Sequence, residues 1–256
     1  MKLKIIGFNI RCCNDKNGNS VAERAPRLYE VTKPYDADLF GIQEFTPLWE
    51  EHFEKYFSAD YDIFHKYRDS VGHREGAPIL WKKDKFECLK NGYFWLSDTP
   101  ETESKGWDVS GYKRICEYVV LKEKGSGKEF AFFNTHFGFG DDCQTKSVAL
   151  IHSVAGQFGD IPMFITGDFN MSPSSVAYGE MVKVFTDVND ATAKDVRPTY
   201  HNYAPQEYTG TGYSKGHIDF CFANKNVTPV RHERIDGSVN GKYPSDHYGI
   251  YVELDI

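Results

Sequence analysis

The sequence predicts a single α/β domain, residues 1–256, in which two β-sheets pack together and helices cover the outside. Three observations predict it. Strand and helix patterns alternate over residues 2–57, a β-rich stretch follows in each half of the chain, and no linker, low-complexity tract or short repeat separates the halves.

Residues 2–9 form the first strand; the apolar run stops at Asn9 with no small-residue cleavage site behind it, so it does not read as a leader. A polar loop rich in Asn, Asp and Gly fills residues 11–20. Residues 25–33 predict a helix, and residues 37–42 return as a strand ending at Gln43-Glu44. Thr46 is placed to cap the next helix, through Phe57: Pro47 suits its first turn, and Trp49, Phe53 and Phe57 fall four apart on one face. Short β runs at 61–64, 77–81 and 92–97 predict a meander, and residues 99–111 an exposed loop. Strands at 115–121 and 129–133 flank Lys124-Gly125-Ser126-Gly127-Lys128, a hairpin whose second strand delivers Asn134-Thr135-His136. Helices are predicted at 145–158 and 174–185, around a central strand at 162–166. Residues 187–215 are turn-rich with little regular signal, and strands follow at 216–222, 227–235 and 248–255.

Hydrophobic content of 40%, charged content of 26% and a mean hydropathy of -0.54 describe an ordinary soluble globular chain. The net charge of -7 argues against a broad basic face that grips long nucleic acid. It leaves room for a nuclease, because a bound divalent cation and a few local Lys or Arg still attract phosphate. No run approaches the ~20 apolar residues a membrane span needs, and the expected location is cytoplasmic. Cys12, Cys13, Cys88, Cys116, Cys143 and Cys221 show no CxxC spacing and are expected as buried thiols rather than disulfides or zinc ligands.

The chemistry is expected at strand ends. In Gly167-Asp168-Phe169-Asn170 the two polar side chains, two positions apart, point the same way at the C-terminal end of the central strand. Asn9, Gln43-Glu44, Asn134-Thr135-His136 and Ser245-Asp246-His247 end or border other predicted strands in the same manner. Singly, each motif is more often a turn or a cap. Their number and shared placement make them a candidate site.

In this order, and with Ile218-Asp219-Phe220, these segments resemble the endonuclease/exonuclease/phosphatase superfamily over nearly the whole chain, from Asn9 to His247. The family includes pancreatic-type deoxyribonucleases, apurinic-site endonucleases, neutral sphingomyelinases, inositol polyphosphate 5-phosphatases and mRNA deadenylases. Phe94-Trp95-Leu96-Ser97-Asp98-Thr99-Pro100 and Gly106-Trp107-Asp108 look most like a bacterial branch of metal-dependent hydrolases. The resemblance implies a four-layer sandwich, two face-to-face mixed sheets flanked by helices. It implies Mg²⁺, with Mn²⁺ as the alternative, on Glu44, with Asn9 adjacent and Asp246 a further ligand. It also implies that Asp168 orients or deprotonates water, that Asn170 donates to a phosphate oxygen, and that His136 and His247 flank the phosphorus. Each histidine needs an acid to hold its tautomer: Asp219 is expected for His247 and Glu75 for His136. Whether His247 or Asp168 is the base stays open. Arg114 is a candidate phosphate contact, with a surface ion pair as its plainer use. Where bacterial relatives continue Asn-Thr-His with Leu-Asp-His, this chain has Phe137-Gly138-Phe139, which puts substrate analogy in doubt.

The function expected first is a metal-dependent phosphoesterase that cleaves a phosphodiester by water attack, on a nuclease-like substrate. The second is a phosphomonoesterase on a small or lipid-linked phosphate. A binding module with an idle site is the reading from another class, and none of Glu44, Asp168, Asn170, Asp219 or His247 is lost to support it.

Overall fold

The structure, a computed structural model, describes residues 1–207 and 216–256. It builds two six-stranded mixed sheets. The first runs in the spatial order β11 (Thr228–Ile235), β12 (Gly249–Asp255), β1 (Lys2–Asn9), β2 (Leu39–Gln43), β4 (Ile79–Lys82), β3 (Tyr61–Phe64). The second runs β5 (Phe86–Trp95), β6 (Ile115–Glu123), β7 (Glu129–His136), β8 (Met163–Asp168), β10 (Asp219–Ala223), β9 (Thr186–Asp187). Each sheet has one parallel pair at its centre, β1 with β2 and β7 with β8.

Side-chain alternation divides these strands into layers. Leu3 and Ile5 of β1, Phe130 and Phe132 of β7, Phe164 of β8 and Cys221 of β10 are buried together between the sheets. Ile6 and Phe8, one position out of phase, face α1 (Val21–Thr32) and α2 (Pro47–Phe57). Phe133, Ile165, Phe220 and Phe222 face α3 (Asp141–Gly156) and α4 (Val176–Met181). The order is therefore helix, sheet, sheet, helix, as expected. Where the sheets approach, β2 carries Gly41: a Cβ there would lie 2.0 Å from Thr166 Oγ1 and 2.7 Å from Asn134 Oδ1.

Several boundaries differ from expectation. The helix expected from residue 25 begins at Val21, because Ser20 and Glu23 close a reciprocal capping box. Thr46 occupies the N-cap of α2, but its hydroxyl donates to Cys12 O at 3.0 Å instead of capping the helix. The expected meander splits: β3 and β4 pair in the first sheet, while β5, which starts at Phe86, belongs to the second. Local composition marks strands but not the sheet each joins. Gly140, at φ +98, starts α3 at Asp141, four residues before the predicted start, and α4 is shorter than predicted. The turn-rich stretch holds the short helix α5 (Val188–Ala191) and a 3-10 turn at Pro205–Glu207; residues 208–215 lie outside the described residues. None of the helices among the described residues is long and apolar enough to cross a membrane.

Candidate active site

Strand register brings the predicted residues together. In the second sheet His136 is level with Asp168, and Asp168 with Asp219, so three strand ends present their side chains side by side. In the first sheet Asn9 is level with Gln43. Counting inward from the buried positions, Asn9, Gln43, His136, Asp168 and Asp219 all fall on the phase that faces the other sheet. The site is thus the open end of the layer between the sheets, where apolar side chains give way to polar ones.

The chain turns sharply as it leaves three of these ends. Arg11, Glu44 and Asn170 have φ of 64°, 62° and 48°, a conformation that costs a non-glycine residue roughly 1–2 kcal/mol each. All three line the same cleft, of about 690 Å³, and the left-handed backbone turns their side chains there. Arg24, fully buried in α1, holds the turn after β1: its guanidinium donates to the carbonyls of Ile10, Arg11 and Cys13.

Asn9 links the two sheets, with Nδ2 2.9 Å from Asp168 Oδ2 and 3.0 Å from Glu44 Oε1. Glu44 Oε2 accepts from Cys12 N at 2.8 Å. His136 Nε2 and His247 Nε2 lie 3.5 and 3.7 Å from the same Asp168 oxygen. His247 Nδ1 is 2.9 Å from Asp219 Oδ2, and His136 Nδ1 is 3.4 Å from Glu75 Oε1, which Arg68 Nη1 meets at 2.6 Å. Asn170 gives one amide hydrogen to Phe137 O at 3.0 Å, leaving the other toward the cleft. Asp246 lines the cleft and lies 3.9 Å from Arg11 Nε.

Burial and Asp219 push Asp168 above its ordinary range, against the pull of His136, His247 and Asn9. Burial alone would lower His247, but Asp219, Asp168 and Asp246 outweigh it and raise the imidazole to about 10. The protonated ring therefore stands beside a carboxylate with enhanced affinity for a proton. Burial also opposes ionisation of Glu75, yet His136, His73 and Arg68 hold it well below its ordinary range.

Arg114 is not a surface pair. It is 5% exposed, its Nε donates to Asp108 Oδ2 at 2.8 Å, and its two terminal nitrogens make no hydrogen bond among the described residues while the side chain lines the cleft. Asp108 also occupies the space above Gly138, where a Cβ would come within 2.6 Å of its Cβ and Cγ.

No family model matches the chain. Over 155 residues it is 32% identical to an uncharacterized protein of Acanthamoeba polyphaga mimivirus, covering 56% of this chain and 55% of that protein, so it spans about half the length of that relative. Among solved structures, an endonuclease/exonuclease/phosphatase of Bacteroides vulgatus is 28% identical with a TM-score of 0.89, covering 100% of this chain and 99% of that one. A mannosyl-6-phosphatase of Bacteroides thetaiotaomicron is also 28% identical, with a TM-score of 0.87 and coverage of 99% and 100%. The chain belongs to the endonuclease/exonuclease/phosphatase superfamily. It shares with these solved structures the two-sheet sandwich.

Other cleft residues of this superfamily chain carry no signal in the sequence. Arg68 and His73 reach Glu75 from a loop without periodicity, and Tyr200 sets its ring 4.9 Å from that of His247 from within the turn-rich stretch. Cys12 and Cys13 lack a spacing motif because their neighbours come from distant segments.

Proposed function

We propose that the protein is a divalent-metal-dependent phosphoester hydrolase that passes a phosphoryl group to water, with a small phosphomonoester as its substrate. The observation that carries this reading is the surround of Asp168 Oδ2, met by Asn9 Nδ2 at 2.9 Å and flanked by two imidazoles at 3.5 and 3.7 Å. One carboxylate, two proton carriers and a nearby second carboxylate, Glu44, are the groups that water attack on phosphorus requires.

Two carboxylates, Glu44 and Asp246, line the cleft with oxygen donors that fit a hard cation such as Mg²⁺ or Mn²⁺, while Asn9, expected as a ligand, donates its amide to Glu44 Oε1 at 3.0 Å and accepts from Arg11 N with its oxygen. Such an ion, when bound, neutralises phosphate charge and favours attack by water. Asp168 takes the proton of the attacking water. His247, charged and held by Asp219, donates toward the leaving oxygen, and His136, backed by Glu75, donates toward a phosphate oxygen. The second amide hydrogen of Asn170 and the unbonded end of Arg114 bind the remaining phosphate oxygens.

The sequence places a diester first; two observations favour the monoester. The cleft volume of about 690 Å³ lies in the range of small-molecule sites, and a solved relative of full coverage is a mannosyl-6-phosphatase. The test is hydrolysis by purified protein, with Mg²⁺ or Mn²⁺ and with chelator, of p-nitrophenyl phosphate, a hexose 6-phosphate, bis-p-nitrophenyl phosphate and an oligonucleotide. Metal-dependent release from the two monoesters is expected. Turnover of the diesters alone rejects the substrate class, and turnover of none rejects the hydrolase.

A further inference from the structure

We infer that Cys12, Cys13 and His73 form a second cation site, for a thiophilic divalent ion such as Zn²⁺, at the edge of the cleft, with a donor set distinct from the carboxylates of Glu44 and Asp246. One ligand atom from each of the three lies within 4.8 Å of the others, and all three side chains line the cleft. The Sγ atoms of Cys12 and Cys13 lie 2.8 Å apart, on the same side of the turn.

The backbone beneath the pair is fixed from several sides. Arg24 donates to Arg11 O at 3.0 Å and Cys13 O at 2.6 Å, Trp49 Nε1 to Arg11 O at 3.0 Å, and Thr46 Oγ1 to Cys12 O at 3.0 Å. A fixed backbone places two sulfurs at little entropic cost to an incoming ion. Cys12 is buried, but Cys13 is half-buried and His73 exposed, which leaves a way in from the cleft.

Two thiolates and an imidazole select Zn²⁺ over Mg²⁺ by softness, as the oxygen set does the reverse. Coordination releases both thiol protons to the buffer and creates no new covalent bond within the chain. Cys12 Sγ also groups with carboxylate oxygens of Glu44 and Glu75, and Glu75, which is not among the donors assigned to Mg²⁺, is the candidate fourth ligand. The other four cysteines enter no such group among the described residues.

The experiment is a Cd²⁺ titration of the reduced protein in saturating Mg²⁺, followed by the ultraviolet sulfur-to-cadmium charge-transfer band. One equivalent of Cd²⁺ is expected to develop the band, and Zn²⁺ to displace it. Cys12→Ser/Cys13→Ser is expected to abolish the band, Cys88→Ser to leave it intact, and His73→Ala to weaken the affinity by about tenfold or more. His73 is exposed and Cys13 half-buried, so His73→Ala and Cys13→Ser report on the site if the double variant does not fold. Absence of the band in the unaltered protein, or a band and affinity unchanged in His73→Ala and Cys13→Ser, overturns the site.

Discussion

His247 Nδ1 meets Asp219 Oδ2 at 2.9 Å, joining a residue two positions before β12 of one sheet to the first residue of β10 in the other. The contact fixes which imidazole nitrogen faces Asp168 and raises the charged ring to about 10.

An acid that must be protonated sets the basic limb of a pH–rate profile, so activity is present below the His247 pKa and lost above it. Asp219→Asn removes the nearest negative charge. The basic limb of kcat is expected to move to lower pH, with a loss of roughly 10²-fold or more near neutrality. A limb that stays in place shows that another group carries the proton.

Glu44 and Asp168 answer to different measurements. Glu44→Gln is expected to weaken Mn²⁺ binding by calorimetry by about 100-fold, since it removes a charged oxygen donor. Asp168→Asn is expected to leave the ion bound while turnover falls by about 10²- to 10⁴-fold. Equal metal affinity in both variants would contradict this division.

The absence of a side chain at Gly138 has a local reason. Asp108 fills the space, accepting from Arg114 Nε at 2.8 Å and from Phe139 N at 3.2 Å. Gly138→Ala is expected to displace Asp108, cost about 1–3 kcal/mol in urea denaturation, and raise KM more than it lowers kcat as Arg114 loses its support.

Glu117, fully buried on β6, accepts from Ala77 N at 2.9 Å and Lys66 N at 3.1 Å, yet burial pushes its carboxyl up from 4.5 to about 8. The folded state then binds the extra proton across that window. Its contribution to stability is complete below 4.5 and is lost as pH rises to about 8. Urea denaturation across the window is expected to show a decline on the order of 1 kcal/mol per pH unit at most. Glu117→Gln flattens it.

Residues at strand ends were legible because alternation fixes their direction once the apolar positions are known: Asn9, His136 and Asp168 follow inward-facing neighbours by an even step, and Asp219 precedes its own by one. Glu44 and Asn170 sit just beyond strands and Asp246 shortly before one, and the order of motifs placed them. Arg68, His73, Arg24 and Tyr200 were not legible, since each acts through partners far along the chain and none belongs to a repeating pattern. Sheet membership was hidden for the same reason: β4 and β5 are neighbours in sequence with similar composition, and only long-range pairing sends them to different sheets.

The close approach at Gly41 gives the two halves of the molecule a common fate. Asn9 and Glu44 ride on one slab, Asp168 and His136 on the other, and a slip of even an ångström between slabs would part them while every strand kept its ladder. Warming should therefore silence the protein before it melts, and neither slab made alone should retain any trace of its chemistry.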